Sequence, residues 1–204
     1  MIIRDYRHGE YKLCHMRTIV LRYGNTNTYL IKGSSGNLLV DTDMPGTIHA
    51  FFKSIKSHDI KVKDISFVMA THYHPDHMGL ISELMGMGVK LLLLDVQADH
   101  IHDWENKVGT KPIDGKSAMI ISFAESRTVF DGLGIQGEII YIPSHSSDSV
   151  CIMLDDGVCI AGDLSPLSYL QSEPEVSQLR DDWNLILGKH PKRILFAHSN
   201  DIEL

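Results

Sequence analysis

The sequence predicts an α/β fold of four layers, an αβ/βα sandwich in which two mixed β-sheets pack face to face with helices outside. Apolar runs of strand length alternate with amphipathic helical patterns, the strands fall into two groups, and each group is followed by helices. The chain has 204 residues, 43% of them hydrophobic, which is enough for one substantial core. We therefore expect residues 1–204 to form a single domain.

Five strands and three helices are expected in the first half. The predicted strands are 17–23, 27–33, 37–41, 65–70 and 89–94, and the predicted helices are 45–57, 76–85 and 96–107. Residues 108–125 have no regular pattern, so we interpret them as a loop that could cover a functional site.

The second half repeats the alternation. Strands are predicted at 127–129, 138–142, 149–155, 158–162 and 193–196, and a helix at 173–188. An Asp156-Gly157 turn predicts a hairpin that pairs Leu154 with Cys159 and places Cys151 on the opposite face. Both cysteines are interpreted as buried strand residues rather than as a bridge.

Charge and composition narrow the class of protein. The net charge of −7 argues against a nucleic-acid partner held by bulk electrostatics. No apolar stretch is long enough to span a membrane, and the first residues lack the apolar region of a secretion signal. Three cysteines give no disulfide framework. We expect a cytoplasmic protein that acts on a small molecule without a membrane partner.

The most informative segment is residues 72–77, which read His-Tyr-His-Pro-Asp-His. Imidazole nitrogen and carboxylate oxygen are ligands that zinc and iron bind well. His72 and His74 point the same way in an extended chain, whereas Asp76 and His77 follow the turn at Pro75 and can face a second ion. The alternative is a chance run of surface histidines in a His-rich chain; the density of ligand types favours a metal site.

Three later residues follow predicted strands, where functional groups converge in layered folds. They are His145, Asp163 and His198. Taken singly, each has an ordinary explanation as a polar loop histidine or a Gly-Asp turn. Together with the cluster they make five histidines and two carboxylates.

The ordered series of motifs resembles the metallo-β-lactamase-fold superfamily over residues 17–204. The motifs are Asn-Thr-Tyr-Leu-Ile at 27–31, Leu-Leu-Val-Asp-Thr at 38–42, Thr-His-Tyr-His-Pro-Asp-His-Met-Gly at 71–79, Pro-Ser-His-Ser-Ser-Asp-Ser-Val at 143–150, Ala-Gly-Asp-Leu at 161–164 and Ala-His-Ser at 197–199. The family often has Gly-His-Thr-Pro-Gly-Ser around the third histidine, so the more polar loop at 144–149 is a departure. The resemblance implies an αβ/βα sandwich with metals between the sheet edges.

The resemblance also implies a ligand set and a cofactor. The first ion would be bound by His72, His74 and His145. The second ion would be bound by Asp76, His77 and His198, and Asp163 would bridge both ions. Asp41 would hold ligand imidazoles by hydrogen bonds, its alternative role being to cap a strand-end turn. The cofactor would be two divalent metal ions. Zinc is the expected metal, and iron and manganese are the alternatives.

The resemblance implies hydrolysis of an ester, thioester, lactone, lactam or phosphoester by a metal-bridging hydroxide. Asp76 would be the catalytic residue that orients the hydroxide and moves a proton to the leaving group. An iron-dependent redox enzyme resembling the sulfur dioxygenases, with one or two irons, is the alternative, and a binding protein without turnover is a third. Tyr169 is the nearest tyrosine after Asp163 that could contact substrate, although packing would also explain it.

Overall fold

The computed structural model describes residues 2–4, 11–13, 17–172 and 177–204. The two short N-terminal strands, β1 (Ile2–Arg4) and β2 (Tyr11–Leu13), form an antiparallel pair. Cys14 and residues 173–176, where the predicted helix 173–188 begins, lie outside the described residues.

The first large sheet follows chain order in space. Its strands are β3 (Arg17–Leu21), β4 (Thr28–Lys32), β5 (Asn37–Val40), β6 (Phe67–Met69), β7 (Lys90–Leu94) and β8 (Met119–Ile121). Strands β3 to β5 are antiparallel, whereas β5 to β8 run parallel to one another. The carboxyl ends of these parallel strands therefore meet at one edge of the sheet.

The second large sheet is also mixed. Its strands are β9 (Gly137–Tyr141), β10 (Val150–Leu154), β11 (Val158–Ile160), β12 (Arg193–Leu195) and β13 (Ile202–Glu203), in the spatial order β13-β12-β11-β10-β9. Only the β11–β12 pair within this described sheet is parallel.

The outer layers are helical. The helices are α1 (Ile48–Ser57), α2 (Pro75–Met78), α3 (Ile81–Gly86), α4 (Phe123–Leu133), α5 (Tyr169–Ser172) and α6 (Ser177–Leu187). Buried residues of α1 and α3 pack against the first sheet, and Leu179, Trp183 and Ile186 of α6 pack against the second. Phe130 and Leu133 of α4 instead lie in the core between the sheets.

Side-chain alternation explains the four layers. In β7, Leu92 and Leu94 point into the core between the sheets, where they meet Ile152 of β10, whereas Leu91 and Leu93 point towards the outer helices. Because successive strand residues face opposite sides, a continuous apolar run fills both cores at once. The predicted αβ/βα sandwich is confirmed.

Two predicted elements in the middle of the chain are wrong. Residues 127–129 lie in helix α4 rather than in a strand, although Ser122 and Glu125 form a capping box that marks the start of this helix. Residues 96–107 do not form one helix; two single 3₁₀ turns, Asp95–Gln97 and His100–His102, take its place. The predicted loop 108–125 contains β8, which extends the first sheet.

The hairpin register is also corrected. Met153, not Leu154, pairs with Cys159, because Gly157 adopts a left-handed conformation (φ 98°) and the connection is longer than a two-residue turn. Cys151 and Cys159 consequently share one face, in the core that packs against α6. Both are buried and free, as expected.

Candidate metal centre

The two sheets meet at the edge where their functional residues gather. Backbone hydrogen bonds join them there, from Val150 N to Thr71 O (2.9 Å) and from Asn27 N to Ala197 O (2.7 Å). The chain bends at Thr71, His72 and His74 after β6, and Pro75 then starts α2. The segments after β9, β11 and β12 bring in the remaining three predicted ligands: His145, Asp163 and His198.

A first group of ligand atoms surrounds one point. Nε2 of His72 lies 3.0 Å from Nδ1 of His74, and Nε2 of His145 lies 3.3 Å from that same Nδ1. Oδ2 of Asp163 completes the group, at 3.6 Å from Nε2 of His145 and 3.9 Å from Nε2 of His72.

A second group lies on the other side of Asp163. Nε2 of His198 is 3.0 Å from Oδ2 of Asp76 and 3.3 Å from Oδ1 of Asp163. Nε2 of His77 is 3.4 Å from the same Asp163 oxygen and 3.8 Å from Oδ2 of Asp76. The two oxygens of Asp163 thus face different groups.

The spacing and the missing hydrogen bonds both fit metal ions. Ligand atoms about 2.1 Å from a zinc ion, at tetrahedral corners, are roughly 3.4 Å apart, which lies within the distances observed here. Nε2 of His77 and Oδ1 of Asp163 are buried and make no hydrogen bond. Buried polar atoms without partners are costly in proteins, and a shared cation would satisfy both.

Asp41 contacts His77, a member of the second group of ligand atoms, on the ring nitrogen that faces away from the centre. Its buried carboxylate accepts a hydrogen bond from Thr71 N (2.7 Å) and lies 3.1 Å from Nδ1 of His77. Burial alone would lower the pKa of His77, but the negative charge of Asp41, followed by Asp163, outweighs it and raises the pKa to about 10. The Nδ1 proton is therefore held by Asp41, and Nε2 faces the centre.

The pKa values of three other predicted ligands, His72, His145 and Asp163, are shifted in the direction that favours metal binding. Burial, followed by the neighbouring imidazoles, holds the pKa of His72 far below its usual range, and burial also lowers that of His145. Burial opposes ionisation of Asp163, but the close approach of His77, followed by the charges of His198 and His145, outweighs it and lowers the pKa of this carboxyl. Neutral imidazoles and an ionised carboxylate are the forms that bind metal.

All seven predicted ligands thus come together, and Asp41 lies directly behind them. Tyr169 lies on α5 with 48% of its surface exposed, and it does not line the cavity beside His74. Tyr73, within the cluster, is buried in the outer core of the first sheet.

Sequence reasoning missed three residues around the centre. The carbonyl of Asn25 lies 3.0 Å from Nδ1 of His198, Asp148 accepts a hydrogen bond from Tyr73 N (2.7 Å), and the Trp104 ring lies 6.1 Å from that of His74. Only Asp148 had a signal in the sequence, since it belongs to the unusually polar loop after His145.

Comparison with known proteins identifies the family of the chain. The family model of the metallo-β-lactamase superfamily matches residues 21–198. The lactamase-like protein aptB of Emericella nidulans is 30% identical over 139 residues, or 67% of this chain and 38% of its own length. The β-lactamase-like protein 2 homolog of Drosophila melanogaster is 25% identical over 183 residues, or 87% of this chain and 60% of its own length. The chain therefore spans less than two thirds of these relatives.

Solved structures share the fold. A metallo-β-lactamase family protein from Thermus thermophilus superposes with a TM-score of 0.69 at 18% identity, covering 93% of this chain and 74% of that one. No helix among the described residues is long and apolar enough to cross a bilayer. From the family match and the shared fold we conclude that the chain belongs to the metallo-β-lactamase superfamily.

Proposed function

We propose that this protein is a metal-dependent hydrolase that uses two divalent ions, with zinc as the expected metal. Its substrate would be a small-molecule ester, thioester, lactone, lactam or phosphoester. One observation supports the proposal: seven side chains form three overlapping groups of three, and the possible ligand atoms of each group lie within 4.8 Å of one another. Two ions a few ångströms apart are typical of sites that cleave such bonds.

Charge balance favours hydrolysis. Asp76 and Asp163 carry two negative charges against the four positive charges of two divalent ions, and the five histidines bind as neutral ligands. Ions bound there would lower the pKa of coordinated water and polarise the bond under attack. The remaining positive charge is then available to the nucleophile and to the negative charge that develops on the substrate.

Asp76 has the accessibility that proton transfer requires. Its side chain is 30% exposed, compared with 17% for Asp163 and 0% for His77, so it faces the open side of the centre. Its Oδ2 is held 3.0 Å from Nε2 of His198. We assign Asp76 the role of accepting a proton from the attacking water and passing it to the leaving group.

Metal content and a substrate panel test the proposal together. Protein purified without added metal should contain about two zinc ions per chain, and thioester, lactone, β-lactam and phosphodiester substrates should reveal chelator-sensitive hydrolysis. One iron per chain with oxygen consumption on a persulfide would instead support the redox alternative. Failure of every substrate in every reconstituted metal form would refute the hydrolase.

A pair of histidine variants tests the ligand assignment. His145→Ala removes a ligand of the first group and should reduce turnover by about a thousandfold or more. His58→Ala removes an exposed histidine after α1 and should leave turnover unchanged. Equal activity in the two variants would show that the ligand assignment is wrong.

A further inference from the structure

A cavity of about 380 Å³ lies beside the first group of ligand atoms, and His74 forms part of its wall. His100, Trp104, Lys107, Ser146 and Ser147 also line it. Its volume falls within the range of about 300–1,000 Å³ that is usual for small-molecule sites. We call it the Trp104 pocket.

The Trp104 side chain lies outside the hydrophobic cores of the described chain. It is only half-buried, whereas Trp183 is 1% exposed inside one of these cores. Its indole instead meets the His74 ring nearly at right angles (88°). Backbone hydrogen bonding holds it in place, since the Trp104 carbonyl accepts from Lys107 N (2.9 Å). A large aromatic surface fixed beside a reactive centre is suited to binding a ligand.

The carboxylates around the pocket are already engaged. Oδ2 of Asp103 lies 2.7 Å from Nδ1 of His100, and the two oxygens of Asp148 accept from Tyr73 N and from Ser146 Oγ, both at 2.7 Å. They are therefore poorly placed to bind a cationic ligand.

The cation of Lys107 is less committed. Its Nζ donates to the backbone carbonyl of Asp103 (3.0 Å), and it forms no ion pair in the described part of the chain. An ammonium with donors to spare at a small-molecule cavity favours an anion. Ser147 Oγ, which lies 3.3 Å from Nε2 of His100, adds a hydroxyl to the lining.

We propose that the Trp104 pocket binds the part of the substrate that is not cleaved, and that this part is a planar aromatic group with a negatively charged substituent. The ring would pack on Trp104, and the anion would lie near Lys107. This assignment rests on the proposed hydrolase function, because the pocket adjoins the ligand His74 and so determines which group lies next to the reacting bond.

Calorimetric titration of the metal-loaded protein tests the pocket without turnover. Naphthalene-2-sulfonate is the probe, since sulfonates are weak metal ligands. Cyclohexanesulfonate lacks the aromatic ring, and 2-naphthylmethanol lacks the charge. We expect naphthalene-2-sulfonate to bind about tenfold or more tightly than either comparison compound.

Variants then locate the binding. Trp104→Ala should weaken naphthalene-2-sulfonate binding by about tenfold, and Trp104→Phe by much less. Lys107→Ala should weaken it by about fivefold and remove the preference over 2-naphthylmethanol. Lys63→Ala, which removes an exposed lysine in a different loop, should bind as the wild type does.

Two results would overturn the assignment: equal affinity in Trp104→Ala and wild type with unchanged thermal midpoints, or cyclohexanesulfonate binding as tightly as the aromatic probe. The two proposals can also fail separately. Trp104-dependent binding in a protein that hydrolyses no substrate would retain the ligand class and refute the hydrolase. Hydrolysis of a substrate by a protein that does not bind naphthalene-2-sulfonate would retain the hydrolase and refute the ligand class of the pocket.

Discussion

Oδ2 of Asp41 lies 3.1 Å from Nδ1 of His77, and neither side chain is exposed to solvent. The other oxygen of Asp41 accepts from Thr71 N at 2.7 Å, so the carboxylate is fixed by the strand end that precedes the histidine cluster. A carboxylate behind an imidazole sets its tautomer and makes the opposite nitrogen a stronger ligand. The orientation of His77 therefore depends on a residue 36 positions earlier in the chain.

Asp41→Asn should weaken metal binding without removing a ligand. The amide keeps the shape of Asp41 but lacks its charge, so we expect metal affinity to fall by about 10- to 100-fold. Competition with a chromogenic chelator measures this change. Asp59→Asn, an exposed substitution just after α1, is the control and should bind metal normally. Wild-type affinity in Asp41→Asn would contradict the supporting role of Asp41.

The same pair makes the metal-free protein sensitive to alkali. The pKa of His77 is raised from 6.5 to about 10, so its contribution to folding is fully present below 6.5 and is lost as the pH rises through about 10. Urea unfolding of chelator-treated protein between pH 7 and 10 should show a larger loss of unfolding free energy in wild type than in Asp41→Asn. Parallel pH dependence in the two proteins would show that the pair does not contribute.

Gly162 allows the strand end that carries Asp163 to approach Thr71. Its φ is +55°, and an added Cβ would lie 2.5 Å from Thr71 Oγ1. Gly162→Ala should therefore lower the unfolding free energy by about 3 kcal/mol and also weaken metal binding. Gly86→Ala is the matched control, because its Cβ would meet no atom within 4 Å. Similar stability of both variants in chemical denaturation would refute the close approach.

Asp148 connects the two loops that carry the first group of ligand atoms. Its carboxylate joins Tyr73 N, between His72 and His74, to Ser146 Oγ, next to His145. Asp148→Ala leaves a buried amide without a partner and should cost about 1–3 kcal/mol in stability. Bound metal should fall towards one ion per chain. Asp181→Ala, on the exposed side of α6, should retain full metal content, and full content in Asp148→Ala would refute the connection.

Asp76→Asn should separate proton transfer from binding. Loss of the carboxylate should lower kcat by about 100-fold or more. Metal analysis of the same sample is needed, because Asp76 is also a proposed ligand. A normal kcat in a fully loaded variant would contradict the catalytic role.

The sequence predicted an element correctly where neighbouring residues determine it, and wrongly where contacts between distant residues or the backbone conformation of one residue determine it. Strand 37–41 was predicted correctly apart from one terminal residue, because a continuous apolar run bounded by turn residues is a local signal. Residues 127–129 were misread because Thr128 and Val129 favour strands, whereas the capping box and the contacts of Phe130 between the sheets determine the helix. The hairpin register was wrong by one residue because it depends on the backbone conformation of Gly157.

The sequence by itself determined the four-layer architecture and the set of seven candidate ligands, since periodicity and ligand chemistry depend on residue types at short spacing. Only the tertiary structure decided which oxygen of Asp163 faces which histidines, that Asp148 contacts a residue 75 positions away, and that Trp104 lies beside His74. These relationships join distant parts of the chain. They arise where two sheets meet, and the packing of those sheets depends on all of their residues together.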